Sequence, residues 1–139
     1  MKHIKLILFS FAILIASVCN AQRLKTLTAT GVEGGTATAT VTNTGTSTLS
    51  IGSNEVGTTT TIHFEATKTS GTVAGTVSLY GSLDGTNFRS ISSTTFTATD
   101  VATQGFIWTL TGSPCNNYRV TWTGTGTMVA TFTAKVLIH

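Results

Sequence analysis

The sequence predicts an all-β protein, an antiparallel β-sandwich of jelly-roll or Ig-like type. Three observations carry that expectation. Threonine supplies 32 of the 139 residues and glycine 14, against a single proline. Threonine suits strands and glycine suits turns. Apolar residues in the second half recur with a period of two, and no segment beyond residue 21 sustains a helical period. Turn signals separate these runs, with no helices between them, which favours a sandwich over a βαβ fold.

Residues 1–21 read as a secretory signal peptide. Lys2 and Lys5 form its positive start, and Leu6 to Val18 form its apolar stretch. Cys19-Asn20-Ala21 places small residues at the −3 and −1 positions, so that cleavage leaves Gln22 first. A transmembrane anchor is the alternative, but the run is shorter than the roughly 20 residues a span needs. A lipoprotein would use Cys19, yet Val18 stands where a small residue is normally required. Cleavage removes two lysines and no acid. Arg23, Lys25, Lys68, Arg89, Arg119 and Lys135 then face Glu33, Glu55, Glu65, Asp84 and Asp100, a net charge of +1 rather than +3. No basic cluster remains to meet a phosphate backbone, so a nucleic-acid partner is not expected. Membrane contact is expected only through the signal before cleavage.

Residues 22–57 hold no Phe, Tyr or Trp. Threonine stands at every second position from Thr36 to Thr48, which suits a ribbon with little to bury. This stretch reads as a Thr/Gly-rich arm or as outlying extra strands, able to pair with the sheet edge of a second copy. Beyond residue 21 the aromatic residues all follow this stretch, so the compact sandwich domain is placed at 58–139.

Within that domain, Thr60, Ile62, Phe64 and Ala66 form one strand face, opposite Thr61, His63 and Glu65. Val77 and Leu79 alternate with Thr76, Ser78 and Tyr80. Phe106, Trp108 and Leu110 share a face, as do Tyr118, Val120 and Trp122. The last strand buries alternate residues from Met128 to Ile138. Turns are expected at Asp84-Gly85, Gly112-Ser113-Pro114 and Gly124-Thr125-Gly126.

The residues that carry chemistry are few. His63 and Glu65 point to one face of a strand, but no third ligand lies at useful spacing, so no metal is expected. Asp84 and Asp100 are better explained by turns than by calcium, which draws several carboxylates from one loop. A Ser/His/Asp set can be assembled only from scattered residues with His63 or the terminal His139, and there is no Gly-x-Ser-x-Gly elbow. Cys115 is the one cysteine left after cleavage; it either packs as a small apolar group or pairs between chains. Neither catalysis nor a cofactor is expected. The threonine rows lack the fixed coil period of an ice-binding solenoid and read as the wet face of exposed strands. Trp108 and Trp122 fall on apolar faces. Tyr80 falls on a polar face, and with Asp84, Asn87, Asn116, Asn117 and Arg119 it forms the candidate ligand-binding set, suited to a sugar.

Gly75-Thr76-Val77-Ser78-Leu79-Tyr80-Gly81-Ser82-Leu83-Asp84-Gly85-Thr86-Asn87-Phe88, with Phe106-Ile107-Trp108 and the run Tyr118 to Met128, resembles small β-sandwich proteins of tailed bacteriophages and prophages, over about residues 62–139. Those proteins are virion-associated or uncharacterised. The Ser82-x-Asp84-Gly85-x-x-Phe88 piece also resembles a hairpin of discoidin-like carbohydrate-binding domains. The Cys19-Asn20-Ala21-Gln22 junction resembles those of exported proteins in Bacteroidetes-type bacteria. Phage structural proteins assemble in the cytoplasm, so the export signal turns the first resemblance toward a secreted, periplasmic or cell-surface role. The expected function is a non-enzymatic sandwich acting in surface attachment or structural assembly, phage-like in origin and forming homo-oligomers through its arm. The alternative is a carbohydrate-binding module with a surface glycan as partner.

Overall fold

The computed structural model describes residues 23–52, 58–112 and 115–139. Residues 1–21, read above as an export signal and including Cys19, together with Glu55 and Ser113-Pro114 of one expected turn, lie outside them. Among the described residues no helix is long and apolar enough to cross a membrane.

Nine strands form: β1 (Arg23–Thr26), β2 (Thr38–Thr42), β3 (Thr46–Gly52), β4 (Thr59–Gly71), β5 (Gly75–Ser82), β6 (Arg89–Ala98), β7 (Thr103–Thr111), β8 (Asn117–Gly124) and β9 (Met128–Ile138). One sheet has the order β1-β9-β4-β7, with β2 also paired to β9; the other has the order β3-β8-β5-β6. All pairings are antiparallel. Every connection passes from one sheet to the other except β1–β2 and β5–β6. Strands β2 to β9 thereby wind as a jelly roll, which decides between the two sandwich types the sequence left open.

Period-two alternation fills the space between the sheets. Ile62, Phe64 and Ala66 of β4 and all alternate residues of β9 from Met128 to Ile138 are buried. Val77 and Leu79 oppose them from β5, and Tyr118, Val120 and Trp122 from β8. Phe64 is the hub. Its ring centroid lies 5.7 Å from Phe132, 6.3 Å from Trp108, 5.8 Å from Trp122 and 6.0 Å from Phe96. Each such pair adds about 0.5–1.5 kcal/mol beyond simple burial. At one end the Tyr118 hydroxyl meets Thr60 Oγ1 at 3.1 Å, so a phenol is buried with its polar tip satisfied. At the open edge between β6 and β7, Phe106 stays 40% exposed and stacks on Phe96 at 5.3 Å.

The boundary placed at residue 58 does not divide this fold. Strands β2 and β3 come from the stretch read as an arm or as outlying extra strands, and they are outer strands of the two sheets, β2 on β9 and β3 on β8. Aromatic content misleads here because burial is carried by small aliphatics. Leu27, Val41, Leu49 and Ile51 are at most 2% exposed. The strands expected to reach a neighbouring copy are instead paired within the chain.

Leu49→Ala is expected to cost about 2–5 kcal/mol, as for any fully buried leucine. Urea unfolding checks it, with Leu79→Ala from the aromatic-rich region as comparison. Loss below about 0.5 kcal/mol, the level of a surface change, would mean that β3 lies outside the cooperative core.

Candidate functional site

The outer face of the second sheet carries the polar alternates of its four strands. Cross-strand register sets them in rows. Thr46, Thr123, Thr76 and Thr97 form one row, and Thr48, Thr121, Ser78 and Thr95 the next. Hydroxyls join β3 to β8 in both rows, at 3.1 Å for Thr46–Thr123 and 3.2 Å for Thr48–Thr121. The third row is Ser50, Arg119, Tyr80 and Ser90. A register shift after Ser78 brings Ser90 opposite Tyr80; within it Ser93 adopts φ 61° and the Thr94 hydroxyl donates to the Ile91 carbonyl at 2.6 Å.

The loop from β5 to β6 closes over this row. Asp84 builds the loop. One of its carboxylate oxygens accepts from the Ser82 hydroxyl at 2.8 Å, the Thr86 amide at 2.9 Å and the Asn87 amide at 2.8 Å. The other accepts from Asn87 Nδ2 at 2.7 Å. These donors, the Asn87 amide foremost, hold the Asp84 carboxyl far below the usual aspartate range. Gly85 follows at φ 73°, the left-handed conformation that glycine takes without strain.

The turn delivers Phe88. Its ring lies under the Arg119 guanidinium, with Cζ 3.7 Å from the ring centroid. A partly desolvated cation–π pair is worth about 1–2 kcal/mol. That matches the roughly 2 kcal/mol of rotamer freedom an arginine carries, so the guanidinium is held in place before any ligand arrives. Its Nε is buried and has no hydrogen-bond partner. A cleft of about 220 Å³ opens beside it, bounded by Thr30, Gly31, Ser50, Asn117, Phe88 and Arg119. Asn117 fits between two glycines: a Cβ at Gly52 would stand 2.9 Å from its Oδ1, and one at Gly85 3.3 Å.

The six residues singled out from sequence therefore separate. Tyr80, Arg119 and Asn117 come together on one face, Tyr80 beside Arg119 on the adjacent strand and Asn117 in the cleft. Both oxygens of Asp84 take part in the turn that carries Phe88, and Asp84 also borders a second cleft. Asn87 is the main donor to that carboxylate. Asn116 stands apart from the row: its amide donates to the Ser82 carbonyl at 3.1 Å, while its Oδ1 is buried without a partner. A second cleft, of about 370 Å³, lies against the same turn between Leu83, Asp84, Asn87, Arg89 and half-buried Cys115.

Phe88, Ser50 and Thr30 were not among the expected site residues. Phe88 was legible as the aromatic closing the Asp84-Gly85 turn. Ser50 and Thr30 were not, because only the pairing of β3 with β8 and the Thr28–Ser50 bridge bring the N-terminal stretch here.

The other candidates have structural neighbours. Asp100 accepts from Lys68 Nζ and from the Val73 amide, both at 2.8 Å, tying the β6–β7 turn to β4 and the β4–β5 connection. The Lys68 hydrogen bond, then the Val73 amide, lowers its carboxyl from the usual value. His63 and Glu65 face outward beside Gly105, and among the described residues no group of three metal-ligating side chains occurs. Trp108 and Trp122 are buried at 4% and 0% exposure, as their apolar faces implied, but neither indole N–H has a partner.

No protein family matches the chain, and no curated protein matches it in sequence. Solved structures do. The chain is similar to the CBM22-2 xylan-binding domain of Paenibacillus barcinonensis Xyn10C, with a TM-score of 0.50 and 12% identity over 87% of this chain and 89% of that one. It is similar to a chain of infectious bursal disease virus Gt strain, with a TM-score of 0.53 and 14% identity over 86% of this chain and 34% of that one. Tailspike protein 4 of bacteriophage CBA120 matches with a TM-score of 0.48 and 11% identity, over 84% of this chain and 18% of that one. What the chain shares with the xylan-binding domain and the bursal disease virus chain is the β-sandwich fold.

Asp84→Ala is expected to lower the urea midpoint at neutral pH by loosening the turn. The folded carboxylate stays ionised to lower pH than the unfolded one, so its contribution is complete above the ordinary aspartate value of about 3.9 and fades as pH falls below it. The deficit of the variant should shrink over that acid range. A deficit unchanged down to about pH 2.5 would count against a charge-based role for Asp84.

Proposed function

We propose that this protein is an exported, non-enzymatic carbohydrate-binding module that attaches to glycans through the outer face of its second sheet. The carrying observation is the preformed corner of Tyr80, Phe88, Asn117 and Arg119. Sugars present C–H faces that pack on aromatic rings and hydroxyls that pair with planar polar groups. This corner offers both, with its arginine already fixed on an aromatic ring. The hydroxyl rows of Thr46, Thr48, Thr121 and Thr123 extend the surface along the strands, giving a chain-like ligand more than one sugar's length of contact. The xylan-binding domain that shares the sandwich supports a glycan as ligand. The signal-like residues 1–21 support an extracellular, cell-surface or periplasmic location.

Affinity electrophoresis through gels of soluble polysaccharides tests this reading. The protein should be retarded by at least one of them. Tyr80→Ala and Arg119→Ala should each weaken retardation by about tenfold, the loss of one good contact, with unchanged melting. Glu65→Ala on the opposite sheet should leave it unchanged. No retardation by any polysaccharide, or full retardation of Tyr80→Ala, would sink the proposal.

A further inference from the structure

Among the described residues the cation in the cleft has no paired counter-charge. Lys68 is matched by Asp100 at 2.8 Å. Arg119 has no carboxylate partner among the described residues; its guanidinium rests on the Phe88 ring. The acid carried by the neighbouring loop, Asp84, has both oxygens engaged by donors of its own turn and none of its hydrogen bonds comes from Arg119. The remaining lining, Thr30, Gly31, Ser50, Gly52 and Asn117, is uncharged. The buried Nε is closed to a ligand, which leaves the two terminal nitrogens to present a planar fork end-on.

We infer that the cleft reads an anionic group on the glycan, a uronate carboxylate or a sulfate ester, through the Arg119 fork. The inference rests on the carbohydrate-binding reading and names its ligand class. A neutral sugar would leave a fixed, partly desolvated cation uncompensated. An acidic one supplies two parallel charge-assisted hydrogen bonds. Asn117 and the Ser50 hydroxyl stand beside the fork to meet the hydroxyls of the same sugar. General electrostatic attraction does not account for such a preference, because the chain after residue 21 carries only +1. The selectivity is local to one side chain.

Calorimetric titration compares two matched pairs of polymers: polygalacturonate with its fully methyl-esterified form, and dextran sulfate with dextran. The purified protein should bind an acidic member about tenfold more tightly than its neutral counterpart, and the gap should narrow as salt rises from about 0.05 to about 0.5 M. A gap in the first pair alone identifies a carboxylate ligand; one in the second alone identifies a sulfate ester. The gap should vanish in Arg119→Gln. Ser50 stands opposite Arg119 in the β3–β8 register. Ser50→Asp therefore places a rival carboxylate there and should also abolish the gap, whereas Ser50→Asn, equal in size, should keep it. This pair decides the matter should Arg119→Gln fail to fold. Equal binding of acidic and neutral polymers overturns the inference and leaves the carbohydrate reading standing. A gap that survives both Arg119→Gln and Ser50→Asp also overturns it. Binding to none of the four polymers overturns the inference as well, while the carbohydrate reading stands or falls on the affinity electrophoresis.

Discussion

Packing on the Phe64 ring sets the terms for the rest of the molecule. It is fully buried and receives Phe132 and Trp108 from its own sheet and Trp122 and Phe96 from the facing one. Rings that meet tilted or edge-on from several strands fix both the spacing and the relative shift of the sheets. That shift decides which residues of β5 and β8 look outward together. The strands in turn need no charge and little chemistry of their own, which is why a chain with 9% charged residues can fold around them. Two indole N–H groups left without partners are the cost of so much aromatic surface in one place.

The site hangs from this scaffold by a short series of causes. Donors of the β5–β6 loop converge on Asp84 and stiffen the turn. The stiff turn holds Phe88 over the sheet. Phe88 holds Arg119, and Arg119 shapes the cleft. Phe88 and Arg119 border the cleft, whereas Asp84 acts through the turn. Residues that look like ligands in a list of polar side chains can thus act one or two contacts away.

Much of the fold was legible in the sequence because alternation and burial coincide in β4, β5, β8 and β9. Each inward residue named there is buried. Strand β6 was not recognised: its bulge between Ile91 and Thr94 breaks the period of two on which such recognition depends. Strands β2 and β3 were visible as ribbon but not as core, since Val41, Leu49 and Ile51 are too few to announce a buried face without their partners. The site was half legible. Tyr80 and Arg119 stood out as a large ring and a cation on polar faces. That they are neighbours follows from the β5–β8 register, and the share taken by Ser50 and Thr30 follows from pairings some 70 residues apart.

The order in which the strands occur has a consequence for how the molecule is made. The interior strands β8 and β9 are the last two in the chain; β9 separates β1 and β2 from β4, and β8 separates β3 from β5. Until they exist, everything before β8 except the β4–β7 and β5–β6 ladders lacks a partner. Folding cannot proceed piece by piece from the N-terminus. It must wait for β8 and β9 and then close pairings between strands distant in sequence, a slow route whose rate is set by topology. A chain built this way stays open through most of its synthesis, the condition a polypeptide must satisfy if it is to be threaded through a narrow channel before it folds.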